Sequence, residues 1–459
     1  MPPPEGLKGF KLYREVLNDP KYVVAPMVDA SELAWRMLAR KYGAQLCYTP
    51  MWHSGVFVRD EKYRKSALET CPEDRPLIVQ FCANNPETFK KAVELTLCSI
   101  QCDAIDLNLG CPQVIAKRGH FGSFLQDEWD LISKLISVIH DNFDIPITCK
   151  MRVFDDVQKT VDYAKMMESA GCQILAVHGR TREQKGALTG LADWDKIKAV
   201  VENVKIPVIA NGNVQYFRDV QRCIDYTGVS GVMSAEGHLC NPALFADLQP
   251  ANWQMAIEYL DLVNKYPCPL SYARGHMFKL LHFVLQIKEN SGIRDIVARG
   301  QSLGEFRKAV LLIKDKYEPY HLGLKEYHLD PELDIFKLKF PPWICQPYVR
   351  PPPEEHLKKM EMDLIKSKRP PAPLPSNQDG LSKNKQKKLE RNPNKTFGKP
   401  RENCKLCLSC PNPCGTKCDK QLCKKCCKNK CFTESLDCEG HKIWIKTKRA
   451  KYEASECFK

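Results

Sequence analysis

Nothing in the 459-residue chain reaches the ~20 consecutive apolar residues a membrane span requires. Its first residues, Met1 to Gly6 (MPPPEG), supply neither the positive start nor the apolar stretch of a secretory leader. A soluble, intracellular chain is therefore expected, in cytoplasm, nucleus or both, where disulfides are not. A glycine-rich turn is also missing. The first β-rich segment runs into Pro26-Met27-Val28-Asp29, which argues against the rival fold, a doubly wound dinucleotide-binding sheet. Residues 1–349 lack any charge surplus, with 42 Lys and Arg against 42 Asp and Glu.

The surplus lies at the other end. From Arg350 onward there are 27 Lys and Arg against 13 Asp and Glu, so the whole net charge of +14 sits on the last quarter. A basic arm on a neutral body is the footprint of a nucleic-acid binder. A membrane-surface tail is the rival reading, but no amphipathic helix accompanies the charge. The 23 cysteines divide in the same way: twelve are scattered through residues 1–349 and ten crowd between Cys404 and Cys438. Without oxidising surroundings, such a cluster reads as metal-binding.

Eight short β-rich segments recur along the first 240 residues: Tyr22–Met27, Leu46–Met51, Leu77–Cys82, Ala104–Gly110, Ile147–Arg152, Ile174–Arg180, Val208–Asn213 and Gly231–Gly237. Helix-period stretches separate them, clearest at Glu32–Tyr42, Pro86–Leu97, Trp129–Phe143, Val157–Ser169, Trp194–Val204 and Tyr216–Tyr226. Alternating strands and helices pair in parallel, and eight units of this size predict a TIM (β/α)8 barrel over residues 1–250. Gln80, Asn108, Lys150, Arg152, His178, Arg180, Asn211 and Asn213 all fall at or just past the C-terminal ends of their strands, the face that carries active sites in this fold. Amphipathic stretches at Trp253–Val263, His276–Lys288, Ser291–Arg299 and Ser302–Lys314 predict a small helical domain over 251–340. Proline, lysine and asparagine then dominate 341–400, as in a disordered linker, before a Cys-rich basic module at 401–459.

The segment richest in chemistry is Asp106–Pro112 (DLNLGCP), which puts Cys111 on the loop after the fourth strand. A thiol there is either structural or a proton donor. DLNLGCP, together with APM at the first strand, VQF at the third, CKMR at the fifth, VHGRTR at the sixth and ANGN at the seventh, closely resembles the dihydrouridine synthase family, in order from about Pro26 to Phe245. The stretch Gly179–Trp194 and the Cys-rich tail are most similar to the eukaryotic branch acting on uridines 16 and 17 of tRNA.

That resemblance implies an FMN enzyme using NADPH or NADH, which delivers hydride to C6 of a tRNA uracil while Cys111 protonates C5. It implies Pro26, Met27 and Val28 under the flavin ring, Gln80 on its pyrimidine edge, Lys150 near N1 and O2, and His178 alongside. Asn211 and Asn213, with the turn between them, fall to the phosphate. Ala235 and Glu236 also fall there but depart from the family's usual Gly-Arg, so the guanidinium is missing. Asn108, Arg152 and Arg180 match positions facing the uracil or neighbouring phosphates. Lys117 and Arg118, just beyond Cys111, are either RNA-gripping or a solvated pair. The helical domain is assigned to tRNA contact, and a monomer with no obligate protein partner is expected. A flavin reductase of a free pyrimidine, like dihydroorotate dehydrogenase, and a non-catalytic RNA-binding barrel are the alternatives.

The tail's spacing suits tetrahedral zinc, with an iron–sulfur or redox cluster as the alternative. Its candidate ligands are Cys404, Cys407, Cys410, Cys414, Cys418, Cys423, Cys426, Cys427, Cys431, Cys438 and His441, whose pairing spacing alone leaves open. Lysines 424, 425, 428, 430, 442, 446 and 448 and Arg449 interleave them, with Phe432 and Trp444 available for stacking, which points to RNA anchoring.

Overall fold

The computed structural model describes residues 8–328, 333, 336–348, 352–354, 405–447 and 450. The chain falls into two compact units, Met1–Lys368 and Arg369–Lys459. In the first, nine parallel strands run β1 (Tyr22–Val24), β2 (Leu46–Tyr48), β3 (Trp52–His53), β4 (Leu77–Cys82), β5 (Ala104–Leu109), β6 (Ile147–Arg152), β7 (Leu175–His178), β8 (Val208–Asn211) and β9 (Gly231–Ser234). Pairings β1–β9 and β2–β4 close the ring into an eight-stranded barrel. β3 is a two-residue addition along the end of β4. The segment expected as one strand, Leu46–Met51, is broken at Pro50, which has no N–H for the ladder. The other strands whose ends fall short of expectation stop before residues that turn into the mouth loops.

Strand alternation explains both the core and the site. On the inner face, Val23, Leu46, Tyr48, Ile78, Ala104, Ala176, Ile209 and Met233 form one apolar cluster. Leu12, Tyr13 and Leu17, from and just after an unanticipated helix Gly9–Glu15, join it. The Gly9 N–H donates to Gln173 just ahead of β7, which sets this helix at the N-terminal end of the barrel. Two residues further along several of these strands, at the same parity, stand the polar side chains Gln80, Asp106, His178 and Asn211. The outer face (Val79, Phe81, Ile105, Leu107, Cys149) packs on helix residues such as Phe89, Leu135 and Met167. Helices start where local chemistry satisfies their first N–H groups: Asn85 accepts from Thr88 ahead of Pro86, and Asp156 accepts from Lys159.

After the barrel, helices span Asn252–Lys265, Leu270–Leu280, Ser291–Arg299 and Leu303–His321. The second begins directly after Pro269 and ends earlier than the expected Lys288. Beyond it the chain tightens into short 3-10 turns, and buried Asn290 donates to the freed Val284 carbonyl at 2.7 Å and to the Tyr317 hydroxyl at 2.8 Å. This domain shares a core with the barrel helix Leu33–Lys41: Trp35 stacks on His276 with ring centroids 4.0 Å apart. Residues 341–348, expected as linker, also belong to that core. Trp343 is buried against Tyr317 and Tyr327, and the Asn252 N–H donates to the Trp343 carbonyl at 2.7 Å. Proline content masked an apolar anchor, WIC, inside the stretch. No helix among the described residues is long and apolar enough to cross a membrane.

Candidate active site and metal centres

The polar half of the inner face is one connected network. Buried Asp106 accepts from Thr148 Oγ1 at 2.7 Å and from Gln80 Nε2 at 2.8 Å. Gln80 Oε1 in turn accepts from Asn108 Nδ2 at 2.9 Å, and Asn108 Oδ1 accepts the main-chain N–H groups of Gly110 (3.2 Å) and Cys111 (2.9 Å). A relay thus runs from the barrel interior to the Cys111 loop. Burial raises the Asp106 carboxyl to about 6, against the pull of its hydrogen-bond donors and Lys150.

Further braces hold the same loop. Arg152 Nε donates to the Gly110 carbonyl (2.9 Å) and its Nη1 to the carbonyls of Thr181 (2.6 Å) and Gln184 (3.0 Å). Lys185 Nζ donates to the Pro112 carbonyl at 2.9 Å, and Ser123 Oγ to that of Cys111 at 3.0 Å. Gly122 has φ +64, and a Cβ there would lie 2.8 Å from the Cys111 carbonyl oxygen, so only glycine fits this crossing without strain. Burial pushes the half-buried Cys111 thiol up in pKa, with Arg152, Lys150 and Lys185 opposing. The thiol therefore keeps its proton at neutral pH, as a proton donor must.

Lys150, 8% exposed, donates to Asn211 Oδ1 at 3.0 Å. Asn211 Nδ2 donates to the Met233 carbonyl at 2.9 Å, which fixes its oxygen towards the ammonium. Burial and then Arg152 lower Lys150 to about 8. A buried ammonium whose hydrogen bond goes to a neutral amide suits an anionic ligand edge, and the donor set at this mouth fits a flavin ring. His178 is held neutral by burial and by Lys150, Arg152 and Arg180, and its Nε2 lies 3.0 Å from Arg180 Nη1.

Arg180 also donates to the Gly190 carbonyl (2.9 Å from Nη2) and to Asn213 Oδ1 (3.1 Å). Asn213, in the left-handed region at φ 64, ties its amide to the main chain of Ala192 at 2.9 and 2.8 Å. Of the two candidate phosphate-end asparagines, then, one holds Lys150 and the other pins the loop after β7. The turn they flank packs on the loop after β9: Ser234 Oγ donates to the Val214 carbonyl at 3.2 Å. Ala235 stands just ahead of the short helix Glu236–Cys240 there, with no side-chain cap on its first N–H groups. Pro26 and Met27 are half-buried past β1, Val28 is 59% exposed, and Ser31 accepts from the Met27 N–H at 3.0 Å. Lys117 and Arg118 are exposed on the helix Val114–Gly119, with no carboxylate partner among the described residues.

Asp106 and Thr148 escaped the reading of the sequence. Period-2 alternation was the available signal, since Asp106 shares the inner face with Asn108 two residues on.

In the tail, eight of the candidate ligands gather into two groups: Cys407, Cys410, Cys423 and Cys426, then Cys418, Cys427, Cys438 and His441. Either group could hold a metal ion. Cys414 and Cys431 fall outside both, although Cys431 touches Cys427 at 3.9 Å. Cys404, Lys448 and Arg449 lie outside the described residues. Lysines 424, 425, 428, 430, 442 and 446 are exposed, as are Phe432 and Trp444.

A closed parallel barrel with its polar groups converging on a thiol-bearing loop at the C-terminal mouth defines a (β/α)8-barrel enzyme. The dihydrouridine synthase (Dus) family matches residues 23–309. A Mus musculus protein named tRNA-dihydrouridine(16/17) synthase (NAD(P)(+))-like is 51% identical over 450 residues, 97% of this chain and 92% of its own. The Schizosaccharomyces pombe tRNA-dihydrouridine(16/17) synthase is 42% identical over 79% of this chain and 94% of its own. A Homo sapiens tRNA-dihydrouridine(20a/20b) synthase-like protein is 34% identical over 58% and 84%. The chain belongs to the dihydrouridine synthase family.

Proposed function

We propose that this protein is an FMN-dependent tRNA-dihydrouridine synthase that reduces the C5–C6 double bond of uridines 16 and 17, with NADPH or NADH as reductant. The observation that carries the reading is similarity to the 16/17 relatives that extends through the tail, against a shorter and weaker match to a 20a/20b relative. Bound FMN supplies the hydride for C6. The residues of this chain do the rest. Cys111 holds the proton for C5 on a loop tethered by Asn108, and Lys150 offers its ammonium to the N1–O2 edge of the ring. Gln80, buried with its amide bonded to Asp106 and Asn108, has only its second N–H and lone pair left for the ring's pyrimidine edge. The turn at Asn211–Asn213 and the loop at Ala235–Glu236 frame the phosphate, through main-chain N–H groups in place of the family's guanidinium.

The helical domain and the basic tail hold tRNA, and metal, zinc by our reading, organises the tail. We place the protein in cytoplasm or nucleus, working as a monomer. The target base must leave its stack to reach Cys111, so anchoring elsewhere on the tRNA matters to turnover. The test is a map of dihydrouridine in tRNA from cells lacking the protein. Loss at positions 16 and 17 with other sites intact supports the reading, whereas unchanged 16 and 17 overturns it.

A further inference from the structure

The two cysteine groups of the tail are not successive along the chain. The first takes Cys407 and Cys410, passes over Cys418, and returns for Cys423 and Cys426. The second takes Cys418, then Cys427, Cys438 and His441. The helix Lys424–Thr433 carries both Cys426 and Cys427, so neighbouring residues on one turn face different groups. We propose that the tail binds two zinc ions in this interleaved arrangement, one held by four thiolates and one by three thiolates and an imidazole, with Cys414 and Cys431 taking no part.

The distances carry the assignment. Tetrahedral zinc with Zn–S of about 2.3 Å sets its sulfurs about 3.8 Å apart, and sulfur to a nitrogen ligand about 3.6 Å. Cys410 Sγ lies 3.6 Å from Cys423 Sγ and 3.6 Å from Cys426 Sγ. In the second group Cys418 Sγ lies 3.7 Å from Cys427 Sγ and 3.9 Å from Cys438 Sγ, and Cys438 Sγ lies 3.6 Å from His441 Nδ1. These are the edges of two tetrahedra, and far longer than the ~2 Å of a disulfide.

The surroundings agree. The Ser409 N–H points at Cys407 Sγ and the Cys426 N–H at Cys423 Sγ, both at 3.5 Å, the kind of contact that orients a metal-bound thiolate. His441 turns its other nitrogen, Nε2, onto Gly415, where any Cβ would collide with the ring. Among the described residues the buried cluster here consists of six cysteines and two aliphatic residues, Leu422 and Ile443, with Leu436 and Ile445 partly buried against it. Apolar burial on that scale is too small to hold a fold, so metal binding must supply the folding free energy.

The inference rests on reading the tail as metal-binding and not on the barrel's chemistry, so the two fail separately: NADPH oxidation reports the barrel, metal content the tail. Full-length protein purified without chelator is analysed by native mass spectrometry and elemental analysis. Two zinc ions per chain are expected, still two in Cys414→Ser and Cys431→Ser, and fewer in Cys407→Ser and Cys438→Ser. One ion per chain, iron in place of zinc, or loss of an ion in Cys414→Ser would overturn the assignment. His441→Cys, which keeps four ligands, should retain two ions. In the cobalt-exchanged protein it should move the ligand-field absorption to longer wavelength, because thiolate is a weaker-field ligand than imidazole. An unmoved spectrum would remove His441 from the site.

Discussion

The side-chain oxygen of Asn108 accepts the N–H groups of Gly110 and Cys111, so its role can be separated from substrate binding. Asn108→Ala leaves Gln80 Oε1 without its donor inside the barrel and frees the N–H groups of Gly110 and Cys111. An unsatisfied buried carbonyl costs about 1–3 kcal/mol, and the two lost turn bonds about 1 kcal/mol each, so a fall in stability of about 3–5 kcal/mol is expected. The loop itself stays in place through Arg152, Lys185 and Ser123, but Cys111 loses its closest tether. A displacement of about 1 Å at a reacting group costs up to about 10²-fold in rate. Cys111→Ala alone should slow uracil reduction by about 10²–10⁴-fold, the usual worth of a general acid, while NADPH oxidation in the absence of tRNA proceeds normally.

If Asn108 works by positioning Cys111, its loss should change little once the thiol is gone. The double variant should then match Cys111→Ala within about two-fold, a strongly non-additive cycle. The assay is single-turnover dihydrouridine formation with pre-reduced enzyme at saturating tRNA, which isolates the step at the uracil. Multiplying effects would refute this reasoning and assign Asn108 to the substrate directly.

Lys150→Met should weaken FMN retention and lower the flavin's reduction potential; an unchanged potential would mean the ammonium does not face the ring. Its lowered pKa also gives two opposite pH trends. FMN affinity should fall as pH rises through about 8 and the ammonium is lost. Stability of the flavin-free protein should instead gain about 3 kcal/mol between pH 8 and 10.5, because there the unfolded chain binds the extra proton, and the Met variant should lack that gain in urea titrations. A chain ending at Lys368, the limit of the first compact unit, should keep NADPH oxidation but lose the salt-sensitive part of its tRNA affinity. Each lost phosphate contact removes about 0.7–0.9 from the slope of log K against log salt, so equal slopes would deny the tail an RNA role. Reversing charge at Lys117 and Arg118 should raise KM for tRNA and leave kcat at saturation near its original value; a fall in kcat alone would tie them to the chemistry.

The barrel was legible because its signal is redundant. Eight apolar segments at even spacing need only their count and alternation to be read, and Pro50 disturbed one of them without changing the topology. The motif around Cys111 was legible through resemblance. What stayed hidden were features set by tertiary contact. Residues 341–348 read as linker because three-dimensional partners, Tyr317 and Tyr327, make Trp343 a core residue. Asp106 was passed over because a carboxylate in an apolar strand carries no local sign of its partners, Gln80 and Thr148. The ligand pairing in the tail was open for the same reason: spacing of cysteines constrains knuckles, whereas only the fold decides which knuckles meet.

The arginines at the mouth show how resemblance and geometry divide the work. By motif, Arg152 and Arg180 face the uracil or its phosphates. In the structure, the Nε and Nη1 atoms of Arg152 serve three main-chain carbonyls, and Arg180 binds Gly190, Asn213 and the neutral His178. A guanidinium so engaged cannot swing to a phosphate without orphaning the carbonyls it satisfies, at about 1–3 kcal/mol for each buried one. These two arginines therefore shape the loops after β5 and β7, and their charge acts on the site as a field: both help to keep His178 neutral, and Arg152 draws the Cys111 pKa back down. Affinity for a polyanion must then come from cations that reach solvent. Residues 1–349 have no net charge to offer. On the function proposed above, exposed Lys117 and Arg118 beside the Cys111 loop would supply a local grip and the surplus of the tail the long-range attraction, so that orientation at the base and affinity for the strand would rest on different residues.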